Sequence, residues 1–475
     1  MAETSDISDV IAGMPYTYAV NAKAAQIKKG YTEWEGKEVS VAGRVTAVRK
    51  AGKLVFIDIL DSTGKIQAYF EYMALGEASF AAAKAYNPGD MVGVSGTIFK
   101  TSVGEISVKV KTFVQLAKAM RPLPDKWHGL QNVEIRYRKR HLDLVMNPEV
   151  RDIFLKRSTV IRLIQRFLDE RGFVEFETPV IQPLYGGADA EPFKTHVNTL
   201  GEEDYLRISN ELYLKRLIIG GLERVYEIYK AFRNEDLDTT HSPEFTMIEW
   251  YQAYADYNEM MRLNEELLAH VVRQLNGTEE LVYQGKNISM KPPFRRISFI
   301  GSINEKVGKD VLALDDEELF KLAEACGIRF EKGKRNRAHA YNKLLEVLVQ
   351  PGLVQPTFVV DFPAETSPLT RPKRGAPKLV ERFELYVNGV ELSNAYSELQ
   401  NPVIQRRNFE AEAVKSNEGD KEAEPLDMDF IEAMEYGMPP TGGLGMGIDR
   451  LMMLVTDKAS IKEVILFPME KRDRK

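Results

Sequence analysis

FRNEDLDTTHSPEFTMIEWY, residues 232–251, sets one arginine, one histidine and five carboxylates beside an aromatic run. Its second half alternates with period two: as a strand, Phe245, Met247, Glu249 and Tyr251 share one face, and Thr246, Ile248 and Trp250 the other. One face is therefore apolar and the other mixes rings with a carboxylate. The same rule puts Arg233 with Glu235 in FRNE. Pairing the two segments around DLDTTHSP gathers a guanidinium, carboxylates and a stackable ring in one patch. Such a patch suits a nucleoside triphosphate beside a cationic ligand; a salt-bridged surface hairpin is the plain alternative.

A second hairpin lies in FELYVNGVELSNAYSEL, residues 383–399, where Asn388-Gly389 is a strong two-residue turn signal. That turn sets Val387 opposite Val390, Tyr386 opposite Glu391 and Glu384 opposite Ser393. Glu384 and Glu391 then share a face as diagonal neighbours, roughly 7–8 Å apart at Cα. Two carboxylates at that span can share a hard divalent cation that also holds phosphate oxygens, or can simply flank Tyr386 on a wet face. Asn394, Tyr396 and Glu398 have the opposite parity from Glu391, and a bulge between Glu391 and Asn394 is predicted to turn them back to the same face. A third element, TGGLGMGIDRLMML (441–454), has glycines at 442, 443, 445 and 447 that leave a strand bare enough for a flat ligand, with Arg450 at the start of a helix. It carries neither the strand–loop–helix dinucleotide fingerprint with its downstream acid nor a Walker A loop.

Around these elements the chain reads as multidomain, since 475 residues exceed what one core supports. Residues 1–36 read as a tail with a short helix (AKAAQIKKG). From 37 to 118 five short alternating strands, VSVAGRVTAV, LVFIDIL, KIQAYF, MVGVSGTIF and ISVKVKTFVQL, with one helical interruption, predict a small barrel of the OB type. Barrels of that type bind single-stranded nucleic acid through stacked rings and nearby donors. Phe56, Gln67 and Arg49 offer a ring, an amide and a guanidinium, although Phe56 in the core and Arg49 as a solvated charge fit the pattern equally. Net charge is -6 overall, yet residues 37–118 carry eleven Lys or Arg against seven Asp or Glu, so the barrel alone is cationic. A hinge with prolines at 122 and 124 spans 119–145. A larger domain, 146–475, opens on an amphipathic helix over 151–171 stopped at Gly172, has a second helix over 257–275 stopped at Gly277, and holds a helical insertion near 310–350. Cys326 is the only cysteine, so no intrachain disulfide or cysteine-rich zinc site is open to the chain. Without a signal-like start or an apolar run of about 18 residues, a cytoplasmic protein with no membrane segment is expected.

FRNE with HSPEF resembles motif 2 of the class II aminoacyl-tRNA synthetases, GLGMGIDR resembles motif 3, and the helix leading to Glu177-Thr178-Pro179 resembles motif 1. Within that class RYRKRHLDL, GGADAEPF, ELYLKRL, FTMIEWYQAYADY, PAETSPL and NAYSEL together resemble the lysyl-tRNA synthetase family, in order and from about residue 36 to the end. The resemblance implies an α+β protein: a five-stranded OB-fold anticodon domain before an antiparallel catalytic sheet that binds ATP in a bent form. It implies that lysine is activated with ATP to lysyl-adenylate and transferred to the 3′ end of tRNA(Lys) by a homodimer using magnesium (Mg2+). By position, Arg233 would bridge the lysine carboxylate and the α-phosphate, Phe245 and Arg450 would sandwich adenine, and Glu235 and His241 would hold other parts of ATP. Glu384 and Glu391 would be magnesium ligands. Gly187 and Glu211 would take the α-amino group, Asn394 the carboxylate, and Glu249, Tyr251 and Glu398 the ε-ammonium beside Tyr396. Arg49, Phe56 and Gln67 would read the central anticodon uridine. An aspartyl- or asparaginyl-type enzyme, which would need cations in the amino-acid pocket, and a synthetase-like RNA-binding protein without activity are the rival readings. Three residues depart from the family pattern: Glu191 stands where Arg or Lys is usual, Asn210 where Pro is usual, and Ser242 where Asn is usual.

Overall fold

Two units divide the chain, Met1–Gln131 and Asn132–Lys475. The computed structural model describes residues 15–124, 130–235, 237–330, 335–417 and 425–471; the first fourteen residues of the expected tail and residues 125–129 of the expected hinge lie outside them.

In the first unit five strands close a barrel: β1 (Glu38–Ala51), β2 (Leu54–Leu60), β3 (Lys65–Glu71), β4 (Met91–Lys100) and β5 (Ile106–Ala117), in the order β1-β2-β3-β5-β4. Period-two alternation sends Val55, Ile57 and Ile59 of β2 and Ile66, Ala68 and Phe70 of β3 into the core. Helix α1 (Tyr72–Lys84) connects β3 to β4 and packs on the barrel through buried Phe80 and Ala83. Closure removes the open sheet edges through which isolated sheets aggregate.

The second unit is built on a nine-stranded sheet. Its strands are β6 (Val174–Glu175), β7 (Arg224–Phe232), β8 (Glu244–Ala253), β9 (Arg295–Ser298), β10 (Thr357–Pro363), β11 (Ala376–Val387), β12 (Val390–Ser397) and β13 (Thr441–Gly447), with a two-residue strand, Pro372–Lys373, beside β11. They lie in the order β9-β10-β11-β12-β13-β8-β7-β6. The six central strands pair antiparallel, and only the outermost pairs, β9 with β10 and β6 with β7, are parallel. One face is covered by α2 (Pro148–Asp169) and α4 (Tyr257–Asn276), whose apolar sides meet Ile248 and Trp250 of β8 in the main core. The spacing that predicted these helices also places their ends: Gly172 and Gly277 both adopt the left-handed backbone that stops a helix. The other face carries α3 (Glu211–Ile219), and α5 (Ile448–Val455) follows β13 directly. Helices Phe299–Val307, Asp316–Ala325 and Arg337–Leu348 form a satellite core near the expected insertion. The stretch read as a hinge contains two short helices, Val133–Arg138 and Arg140–Met146. Within the second, buried Arg140 pairs with Asp143 (2.5 Å) and donates to the carbonyls of Lys462 and Leu466.

Two local expectations change. The strand in FRNE ends at Phe232: after it the Asn234 N–H turns away to the Glu191 carbonyl (2.7 Å), so Arg233 and Glu235 do not continue the strand alternation. The hairpin bulge is present, with Tyr386 opposite Glu391 and Leu385 opposite Ser393, and Leu392 is the extra residue. Glu384 therefore faces Asn394 rather than Ser393. The bulge returns Asn394 and Tyr396 to the face that carries Glu384.

Candidate active site and nucleic-acid face

The polar face of β8, the bulged hairpin β11–β12, the bare strand β13 and the loop after β7 surround one cavity of about 370 Å3. Its walls include Gly187, Glu211, Arg233, Glu235, His241, Phe245, Glu249, Tyr251, Glu384, Glu391, Asn394, Tyr396 and Arg450. Thirteen of the fourteen residues expected in this site thus share one space, although they come from segments more than 250 positions apart. The fourteenth, Glu398, is buried and does not line this cavity; it borders a second one, with Gln252, Asp256 and Arg374.

At one end the cavity is acidic. Glu249 is buried and accepts hydrogen bonds from Ser209 Oγ (3.1 Å), Tyr251 OH (3.1 Å) and Tyr229 OH. Burial, then the neighbouring charge of Glu211, pushes its carboxyl up to about 7, against those three donors. Nearby, Glu398 is pushed up to about 8: burial raises it, Lys215 opposes, and Glu211 and Glu249 add to the rise. Glycine is required at two places here. Gly187 has φ +85°, and a Cβ on it would sit 2.8 Å from Glu211 Cβ. On Gly443 a Cβ would collide with Glu398 Oε1 and the Tyr251 ring, so the bareness expected to admit a flat ligand at 443 instead makes room for the protein's own side chains.

The other end is rich in guanidinium groups. Arg233 lies 5.3 Å from the Phe245 ring centre and donates to the Ile208 carbonyl (3.4 Å). Arg450 reaches the Glu391 carbonyl (3.0 Å) and carboxylate (3.4 Å) and His241 Nε2 (3.3 Å). His241 is fixed through Nδ1 by Asp238 (2.9 Å). Glu235 is exposed and accepts from the Glu191 N–H (3.2 Å). Between the two ends Arg382 binds Glu384 (2.6 Å), Asn394 (3.1 Å) and Ser367 (2.8 Å), while Tyr386 OH takes the other Glu384 oxygen (2.5 Å). Burial raises the Glu384 carboxyl; Arg382 lowers it and Glu391 raises it further, which ties the two hairpin carboxylates together. Two hard oxygen donors suit a magnesium ion that arrives on phosphate, because such ions are held by one or two carboxylates plus substrate oxygens.

Sequence reading missed Arg382, Lys215, Ser209 and Tyr229. Arg382 was legible by period two from Glu384, and Lys215 by the four-residue helical spacing from Glu211. Ser209 and Tyr229 reach Glu249 from other elements and left no local signal. The site is anchored to its scaffold by two buried networks. Arg157 of α2 binds Asp449 (2.5 Å) and Thr246 (2.9 Å), and Asp449 also accepts the Thr246 N–H (2.6 Å), so α2, β8 and α5 hold one another next to Arg450. Glu227 gathers Arg207 (2.7 Å), Thr178 (2.6 Å) and Asn210 (2.8 Å). Asn210, the departure before Glu211, thus earns its place as a donor that proline could not supply.

On the barrel the register Arg49–Phe56–Tyr69 and Asp58–Gln67 places the three expected residues on one outer face. Phe56 is half-buried outside the barrel core and meets Tyr69 edge-on at 5.4 Å; Tyr69 meets Phe99 at 5.2 Å. Arg49 forks onto Asp58 (2.8 and 2.6 Å), and Gln67 accepts from Ser107 Oγ (2.9 Å).

Comparison with known proteins adds the family. Residues 132–471 match the family described as tRNA synthetases class II (D, K and N), and residues 39–116 match the OB-fold nucleic acid binding domain. The chain is 48% identical over 451 residues to a lysine–tRNA ligase of Clostridium perfringens, covering 94% of this chain and 90% of that protein. It is 49% identical to the lysine–tRNA ligase of Pelotomaculum thermopropionicum (94% and 89% covered) and 47% to that of Moorella thermoacetica (95% and 92%). With a barrel of the OB type, a largely antiparallel sheet and a cavity lined by the motif 2 and motif 3 segments and the bulged hairpin, the chain belongs to the class II aminoacyl-tRNA synthetases of the D, K and N group.

Proposed function

We propose that this chain is a lysine–tRNA ligase that activates L-lysine with ATP and transfers it to tRNA(Lys). The observation that carries the reading is the charge of the cavity: a guanidinium end beside an aromatic ring, and an end walled by Glu211 and Glu249 with Glu398 buried near them. Lysine brings two ammonium groups and one carboxylate, and a charge taken out of water must find partners. The similarity to lysine–tRNA ligases supports the same substrate. An acidic side chain would need a free cation at the acidic end, where Lys215 is already paired with Glu211 and Glu398; next to it Arg382 is paired with Glu384.

In this reading Glu211 and the loop at Gly187 receive the α-ammonium, Asn394 the carboxylate, and Glu249, Tyr251 and Glu398 the ε-ammonium along Tyr396. Phe245 and Arg450 hold adenine between them, which requires Arg450 to leave His241; Glu235 and His241 take other parts of ATP. Glu384 and Glu391 would hold magnesium, which when bound offsets phosphate charge. The lysine carboxylate oxygen attacks the α-phosphorus in line, the bond to the β-phosphate oxygen breaks and pyrophosphate leaves. Arg233 spans both reactants, so its donors meet the charge that grows in the transition state. The terminal ribose hydroxyl of tRNA then attacks the carbonyl carbon and AMP departs. Arg49, Phe56 and Gln67 present a ring and donors to the anticodon. Exposed Leu155 on α2 with Val174, Val180 and Ile181 supports a homodimer, and no helix among the described residues is long and apolar enough to cross a membrane, in keeping with a cytoplasmic enzyme. Lysine-dependent exchange of pyrophosphate into ATP tests the reading; exchange driven by aspartate or asparagine, or none, would overturn it.

A further inference from the structure

Lys215 is the one lysine among the described residues that ranks with the largest fully buried side chains, and no step above uses it. It stands four residues after Glu211 on α3, so the helix puts both on one face. Its Nζ lies 2.5 Å from Glu211 Oε1 and 2.5 Å from Glu398 Oε2, with side chains 1%, 6% and 0% exposed. The first contact is an aligned hydrogen bond. The second is a close ionic contact to Oε2 whose angle departs from a straight hydrogen bond, so Oε1 of Glu398 in particular is buried without a donor. A buried carboxylate in that state is costly unless something else supplies donors.

We propose that Lys215 is a positioning residue for the amino-acid substrate: its ammonium clamps the rear of Glu211 and Glu398, spacing the two carboxylates and leaving their remaining oxygens for the ammonium groups of lysine. The inference rests on the reading of the cavity as a lysine site. Charge balance supports it. Glu211 from α3, Glu249 from β8 and Glu398 after β12 give three negative groups; Lys215 leaves two, matched by the two ammonium groups of the substrate. The other titratable groups facing the cluster are phenols, Tyr229, Tyr251 and Tyr396, all held neutral by burial. Arg233 lies on the Tyr229 side and Arg382 on the Tyr396 side. Burial alone would discharge Lys215, but Glu211 and Glu398 outweigh it and keep it charged. Without that charge Glu398 would retain its proton further into the alkaline range, and a protonated carboxyl accepts an ammonium poorly.

The test uses the full chain with Lys215→Met and Lys215→Gln, followed by pyrophosphate exchange between about pH 6.5 and 9. The KM for lysine is expected to rise about tenfold or more near neutral pH, one pKa unit being tenfold, and the gap to the parent to narrow as pH rises. The KM for ATP should stay within about twofold. A lysine KM like the parent's, or an increase that is the same at every pH and equal for ATP, would overturn the proposal and leave Lys215 as packing. Failure of the parent itself to exchange with lysine would instead break the functional reading. If neither variant folds, calorimetry of lysine binding to the parent in buffers of different ionisation enthalpy decides. Fewer than two protons released near pH 8 is expected, whereas release of about two would mean that Lys215 fails to keep the carboxylates ionised.

Discussion

Both sites place a cation against a carboxylate beside rings, but in opposite surroundings. On the barrel, Arg49 and Asp58 pair with side chains 51% and 26% exposed; in the second unit, Lys215 and Glu398 pair at 1% and 0%. An exposed pair contributes at most about 1 kcal/mol, so Arg49 can leave Asp58 for a passing phosphate or base at little cost. Breaking a buried pair by removing one partner costs about 3–5 kcal/mol, so the cavity's charges change partners only when a ligand brings equal charge in. In the proposed roles the barrel face would sample and the cavity would discriminate.

Substitutions at the two places should separate these roles. Arg233→Ala should lower kcat for pyrophosphate exchange by about 10²–10³-fold, as loss of a transition-state donor does, with the fold intact by circular dichroism. Glu398→Gln should raise the KM for lysine about a hundredfold while the KM for ATP moves by less than about threefold; equal effects on both substrates would blur the division between the two ends of the cavity. Acid should act on the cavity alone. Glu249 and Glu398, pushed up to about 7 and about 8, accept an ammonium only when ionised, so kcat/KM for lysine should fall as pH drops through that window while tRNA binding by the barrel stays level. The linkage to stability has the opposite sense. The unliganded chain should lose stability as pH rises from about 4.5 to 8, because the folded state there holds protons that the unfolded state has released, and saturating lysine should remove that slope.

Effects on the barrel are smaller. Phe56→Ala should raise the KM for tRNA about tenfold, since stacking on one base is worth about 1–3 kcal/mol, and leave exchange unchanged; loss of both activities would mean that the ring is structural after all. Asp58→Ala, the mildest, should change unfolding free energy by less than about 1 kcal/mol in urea titration.

The contrast also explains what could be read in advance. Period-two patterns expose a strand's own face, so Phe245, Glu249 and Tyr251 on β8 and the Arg49, Phe56 and Gln67 set on adjacent barrel strands were accessible before any coordinates. Even the hairpin bulge and its place between Glu391 and Asn394 were legible, because Asn394 and Tyr396 otherwise face away from Glu391; the pairing read from the turn did not allow for it, and the register moved Glu384 from Ser393 to Asn394. What stayed hidden depends on distant segments meeting. Tyr229 and Ser209 reach Glu249 from separate elements, and Lys215 meets Glu398 across 183 positions. Since the buried partners set the protonation of the site, the sequence announced the acids but not the cation that makes them usable.

The most direct trial of the central claim, an acidic cavity matched to a diamino acid, is pyrophosphate exchange measured side by side with lysine, ornithine, aspartate and asparagine. The account predicts strong exchange with lysine, weaker exchange with the shorter ornithine and none with the other two. Exchange supported by aspartate as well as by lysine would contradict it.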